Sequence, residues 1–213
     1  MDNSLRSRLI AIAKEKISRD DVSHDFYHAS RVLYNAEMIA TNEKADLNII
    51  VPAALFHDII VYPKNHPDRN KSQIESANLT SEILANIYDF PTYAIGKVQT
   101  CIRECSFSTG IIPELLESKI LQDADRLEAT GAISILRTYA SAGIMKKTFY
   151  DPNDPFCDDR KIDTSKFALD LFYERLLKVA DRMHTETAKS IAKRRTKFLN
   201  DFLNELRLEL DGE

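Results

Sequence analysis

Residues 47–60 read Leu47-Asn48-Ile49-Ile50-Val51-Pro52-Ala53-Ala54-Leu55-Phe56-His57-Asp58-Ile59-Ile60. The apolar part ends at Phe56 and is interrupted by Asn48 and Pro52, well short of the about 20 apolar residues that cross a bilayer. It reads as a helix buried on most sides, running to about Ile60 and stopping before Pro63. His57 and Asp58 close it, and neighbours on a helix point about 100° apart, so the pair cannot share one face. An aspartate ending such a run is costly unless something positive compensates it, and a cation at the helix end would take a nitrogen from one residue and an oxygen from the other.

The same helical period extends outward in both directions. Leu5, Leu9, Ile12, Ala13 and Ile17 make an opening amphipathic helix. Ser23 is placed to cap a second, which carries Phe26, Val32, Leu33, Ala36, Ile39 and Ala40. Downstream, residues 72–88, 92–103, 113–122 and 124–142 predict four more, with Pro113 in a first turn where its missing N–H costs nothing. The period lapses over 143–163, where Tyr150-Asp151-Pro152-Asn153-Asp154-Pro155-Phe156 is turn chemistry with aromatics that must pack against something. Helices over 164–178 and 184–209 close the chain. The expectation is an all-α protein, with 1–213 a single domain.

Composition agrees. With 5 glycines and 7 prolines in 213 residues, there is neither the turn supply of an all-β fold nor a glycine-rich phosphate cradle. A net charge of -4 gives no basic field for a nucleic-acid backbone. Residues 1–6 carry no apolar run of a secretory signal, and the 3 cysteines suit reduced thiols, so a cytoplasmic protein without membrane contact is expected.

The remaining chemistry lies in two places. Asp123 and Asp125 flank Ala124 at what reads as the start of a helix, where acids favour the macrodipole. His28, with His24 one turn before and Arg31 one turn after, reads by itself as a polar face. Taken together, a histidine, a His-Asp pair and a distant aspartate supply two imidazoles and two carboxylates, a mixed set suited to manganese, iron, zinc or magnesium-like ions.

These residues resemble the HD superfamily of metal-dependent phosphohydrolases, all-helical proteins named for the adjacent His-Asp. The matching positions are His28, His57, Asp58 and Asp125. The segments Ser23-His24-Asp25-Phe26-Tyr27-His28-Ala29-Ser30-Arg31-Val32 and Asp123-Ala124-Asp125-Arg126-Leu127-Glu128-Ala129-Thr130-Gly131-Ala132 look like one bacterial subfamily of small stand-alone HD hydrolases. So do Asp154-Pro155-Phe156 with Arg160, and Met183, Thr185, Ala192 and Arg195 near the end, so the resemblance spans residues 20–206. It implies a divalent cation, manganese favoured over magnesium, iron, cobalt, nickel or zinc, held by His28, His57, Asp58 and Asp125. It further implies metal-assisted hydrolysis of a phosphate ester or anhydride, with a nucleotide as substrate and pyrophosphohydrolase activity as in some relatives.

Within that expectation Asp58, His24 and Asp123 are the catalytic candidates. Asp25 and Asp123 hold imidazoles or water in place, and His24 contacts substrate or donates a proton. Arg31, Lys64, Arg126, Arg160 and Arg175, with Arg69, are the phosphate candidates, though the ordinary role of each is a surface ion pair. Arg160 lies in a loop that would fold as a lid. The chain departs from the family where Cys105 precedes Ser106-Phe107-Ser108, where Leu171 precedes Phe172, where a lysine becomes Arg175, and where Val61 and Tyr62 replace an acid. Those departures set up a second reading, a non-catalytic metal- and nucleotide-binding sensor. A third is a helical module pairing with a second subunit through Ile191, Phe198, Leu199 and Phe202, opposite Lys189, Lys193, Arg194, Arg195 and Lys197.

Overall fold

The computed structural model describes residues 1–18, 24–62, 66–105 and 110–212. Ser23, Lys64 and the Ser106–Ser108 run therefore lie outside the described residues. The helices are α1 (Asn3–Lys16), α2 (Phe26–Glu43), α3 (Leu47–Phe56), α4 (Ser72–Ala85), α5 (Thr92–Glu104), α6 (Leu116–Arg126), α7 (Gly131–Ile144), α8 (Asp170–Glu174) and α9 (Glu186–Asp211). Among the described residues, β pairing is limited to one parallel bridge, Thr148 with Phe167. The fold class is all-α, as the periodicity predicts.

Contacts gather the chain into two units, Met1–Asp125 and Arg126–Glu213. In the first, α3 is the central rod: α1, α2, α4 and α5 all pack on it. Every residue from Ile49 to Phe56 is buried, and each large apolar side chain so buried contributes roughly 1.5–3 kcal/mol. Short acidic residues start three of these helices by accepting the first free amides. Asp2 takes Ser4 N at 2.9 Å, Asp25 takes His28 N at 2.8 Å, and Asp46 takes Asn48 N at 2.8 Å.

Two departures from the sequence expectation matter for the site. α3 stops at Phe56, because Ile59 N turns back to Phe56 O at 3.2 Å while Ile60 N leaves the helix ladder for Ser76 Oγ at 3.0 Å. His57 and Asp58 thus lie in a tight turn and not on a helix face. Further on, no helix begins at Ala124. α6 runs through both acids to Arg126, which puts Asp123 and Asp125 in its last turn, and Pro113 lies outside the helix, which begins at Leu116.

In the second unit, α9 packs on α7 and on the 3-10 segment Leu176–Arg182. Phe156, Leu169, Phe172, Leu176, Leu199 and Leu203 form the core. The 164–178 helix of the sequence reading is instead α8 followed by that 3-10 segment, broken at Arg175. The irregular stretch is organised by two carboxylates. Asp154 accepts from the amides of Asp158, Asp159 and Arg160 at 2.9, 2.9 and 3.0 Å. Asp170, fully buried, accepts both Arg160 guanidinium nitrogens at 2.6 Å and Asp163 N at 2.6 Å.

Candidate metal centre

Three elements of the first unit bring four donor side chains together. His28 sits in the first turn of α2, held there by the Asp25 cap on its own amide. His57 is the residue on which α3 ends, with Asp58 beside it in the turn, and Asp125 comes from the last turn of α6. His28 Nε2 lies 3.3 Å from His57 Nε2, 3.7 Å from Asp58 Oδ2 and 3.6 Å from Asp125 Oδ1. Asp58 Oδ2 is 3.4 Å from His57 Nε2. Ligand atoms of His28, His57 and Asp125 all fall within 4.8 Å of one another.

Those spacings suit a shared ion. Neighbouring ligands each about 2.1 Å from a metal stand about 3.0–3.5 Å apart, for angles between square and tetrahedral; His57 Nε2 stands at that spacing from His28 and Asp58, and the two His28–carboxylate distances are slightly longer. The tautomer also suits it. His57 Nδ1 donates to Ala54 O at 2.9 Å, which turns Nε2 toward the other donors, an orientation set by the second nitrogen's hydrogen bond.

The electrostatics demand positive charge at this point. Burial pushes the His57 imidazole down, yet the Asp58 charge and hydrogen bond, the Asp125 charge and the Ala54 carbonyl reverse that, and its pKa rises to about 9. Burial pushes Asp58 up, but His57, His28 and His24 hold it well below the ordinary carboxylate range. α3 and α6 both end here, so the negative ends of two helix dipoles add to two carboxylates. The expected helix-N-terminal stabilisation of Asp125 is therefore corrected: at a helix C-terminus the dipole disfavours an acid, and a cation is the natural compensation.

The other expected residues divide. His24 rests edge-on against His28, ring centroids 5.7 Å apart. Asp123 is fully buried on α6, two residues before Asp125 and so about 200° round the helix axis from it. Asp25 caps α2 by accepting the His28 amide at 2.8 Å, which fixes the helix turn that carries the His28 ring. Arg31 is half-buried one turn along α2 from His28. Arg126 donates to Arg182 O at 2.8 Å and lies 2.8 Å from His184 Nε2. Arg160, expected on a phosphate or in a lid, is held by Asp170, also donates to Asp154 O at 2.9 Å, and lies over the Phe167 ring. Arg175 and Arg69 are exposed.

Two contributors carried no expectation. The Ala54 carbonyl that orients His57 is invisible in sequence, because any residue three places before a terminal histidine offers one. Asp170 does leave a trace, as a lone acid within Ala168-Leu169-Asp170-Leu171-Phe172.

Comparison with known proteins gives a consistent picture. The HD domain family matches residues 25–130, a span that contains all four donors. YpgQ of Bacillus subtilis (strain 168) is 31% identical over 209 residues, covering 93% of this chain and 90% of that protein. A crystal structure of an HD-superfamily hydrolase from Bacillus thuringiensis superposes with a TM-score of 0.76 at 30% identity, over 99% of this chain and 98% of that one. The structure of Bacillus subtilis YpgQ in complex with ADP superposes with a TM-score of 0.74 at 27% identity, over 98% and 96%.

Proposed function

The chain belongs to the HD domain family, and from that membership we propose that it is a metal-dependent phosphohydrolase acting on a phosphate ester or anhydride of a nucleotide, releasing pyrophosphate where the substrate is a triphosphate. The observation that carries the reading is the set of four donors from α2, the α3 turn and α6, with neighbouring atoms 3.3–3.7 Å apart. The nucleotide class is supported by the ADP complex of YpgQ.

A divalent cation, manganese favoured, would supply Lewis acidity toward a phosphoryl oxygen and toward water. The chain's part is to hold four donors in place before substrate arrives. His57 is locked by Ala54 O, and His28 is set by the Asp25 cap. Asp58 and Asp125 are the more open of the four, with side chains 16% and 31% exposed, so substrate approaches from their side. In the reaction, water's oxygen forms the new bond to phosphorus, the bridging P–O bond breaks, and a proton passes to the leaving oxygen. His24, against His28, is the side chain proposed to handle that proton or the substrate oxygen beside it. Arg31 shares the α2 face of His28 and is the cation proposed for phosphate. Lys64, Arg126 and Arg175 are secondary candidates, Arg160 is committed to Asp170, and Asp123 is given no role at the reacting atoms.

The test is hydrolysis of a nucleotide panel in the presence of Mn²⁺, followed by phosphate and pyrophosphate detection. Turnover that Asp58→Ala abolishes supports the reading, and no turnover with any divalent ion overturns it. The sensor reading is favoured by Tyr62, which stands where relatives place an acid and donates its hydroxyl to Glu75 at 2.6 Å. It predicts nucleotide binding that raises the melting temperature with no product formed.

A further inference from the structure

The second unit contains a cavity of about 300 Å³, walled by Thr130, Gly131 and Ile133 at the start of α7 and by Arg194, Arg195 and Phe198 on α9. None of the four metal-cluster residues lines it. Gly131 has φ +64, and a Cβ there would stand 3.2 Å from Cβ and Cγ of Arg195. Only glycine therefore lets the arginine stem lie flat on this backbone. The guanidinium beyond it donates to Leu127 O at 3.0 Å.

The cavity is rich in positive charge and short of negative charge. Burial and the like charge of Arg194 draw Arg195 below its ordinary value, with Glu128 opposing. Arg194 is exposed and has no hydrogen bond or ion pair among the described residues. Lys193 and Lys197, exposed on the same helix, add to the field. No carboxylate lines the cavity, and Glu128, in the segment before α7, is itself buried and lies 3.7 Å from Arg137. The backbone adds donors: Thr130 precedes α7 without a side-chain cap, since its hydroxyl donates to Leu127 O at 2.6 Å. Phe198, 48% exposed, and half-buried Ile133 form an apolar wall beside the cations. The volume is at the small end of ligand sites, right for a phosphate or a single nucleotide.

We propose that this cavity is a binding site for a phosphate-bearing small anion, held by Arg194 and Arg195 against the apolar wall of Phe198. Paired guanidinium groups suit phosphate oxygens, and a dianion relieves the repulsion between the two arginines. The site does not depend on the metal cluster. Its ligand is either inorganic phosphate or pyrophosphate, or a nucleotide whose base lies on Phe198.

The test titrates the full chain, stripped of divalent ions by a chelator, with phosphate, pyrophosphate and ADP in a calorimeter. Saturable binding is expected, weakened about tenfold or more by Arg194→Gln and less by Arg194→Lys. Lys97→Gln, which removes an exposed charge from α5, should leave it unchanged. If Phe198→Ala weakens ADP alone, the ligand is a nucleotide; if ADP and pyrophosphate behave alike in every variant, it is the free anion. Failure of all three probes to saturate, or Arg194→Gln binding as tightly as the parent, overturns the proposal. Arg194 is exposed, so the variant's melting temperature should match the parent's.

Discussion

Replacing Arg160 by glutamine should destabilise the protein far more than a surface arginine would. Asp170 is fully buried, and its carboxylate accepts two hydrogen bonds from Arg160, each at 2.6 Å, beside those from Asp163 N and the Cys157 thiol. Truncating one partner leaves the other charge buried, which costs about 3–5 kcal/mol. Arg160 keeps 19% of its side-chain exposure, so some water will reach the site and the lower half of that range applies. At about 2–4 °C per kcal/mol for a chain of this size, the melting temperature should fall by roughly 6–16 °C. Arg160→Gln combined with Asp170→Asn should recover much of the loss, because the orphaned charge is then gone. The acid limb gives a second readout. Arg160 holds the Asp170 carboxyl below its ordinary value against the opposing effect of burial. Its stabilisation is therefore complete above the unfolded carboxylate value of about 4 and disappears as pH falls below it. Arg160→Gln should flatten the stability slope in that window. A melting temperature within about 2 °C of the parent, with nucleotide KM raised instead, would refute the structural role and return Arg160 to the substrate.

Gly131→Ala should cost about 1–2 kcal/mol from the left-handed backbone alone, and more as the new Cβ meets Arg195 at 3.2 Å; urea unfolding measures it. Asp25→Ala removes the α2 cap and should cost about 0.5–2 kcal/mol, while Asp25→Asn or Asp25→Ser should retain most of it; the same melts, with manganese affinity by titration, show whether His28 loosens with its helix turn. Chelating divalent ions should lower the melting temperature of the parent but not of Asp125→Ala, since an ion bound only by the folded state stabilises it by mass action.

Much of this was legible because apolar periodicity is a local property. The buried α3 announces itself from 47 to 56, and the four donors were readable as a set through the adjacent His-Asp and its resemblance to HD proteins. What escaped is decided at long range. Ile59 and Ile60 continue the apolar pattern, so nothing local shows that Ser76 takes the Ile60 amide and ends the helix. Asp123 and Asp125 look like helix starters because acids favour that end, yet Ile120, Leu121 and Ala124 bury one face of α6 and carry the helix through them. Arg160 read as a phosphate ligand because its partner Asp170 lies across a turn-rich stretch that periodicity cannot cross.

The most direct measurement is metal content. Protein loaded with Mn²⁺, passed through a desalting column and assayed by elemental analysis should retain about one ion per chain, and His57→Ala, folded by circular dichroism, should retain almost none. A parent chain that keeps no manganese, zinc, iron or other divalent ion, or a His57→Ala chain that keeps as much as the parent, would contradict the reading of His28, His57, Asp58 and Asp125 as the ligands of one cation.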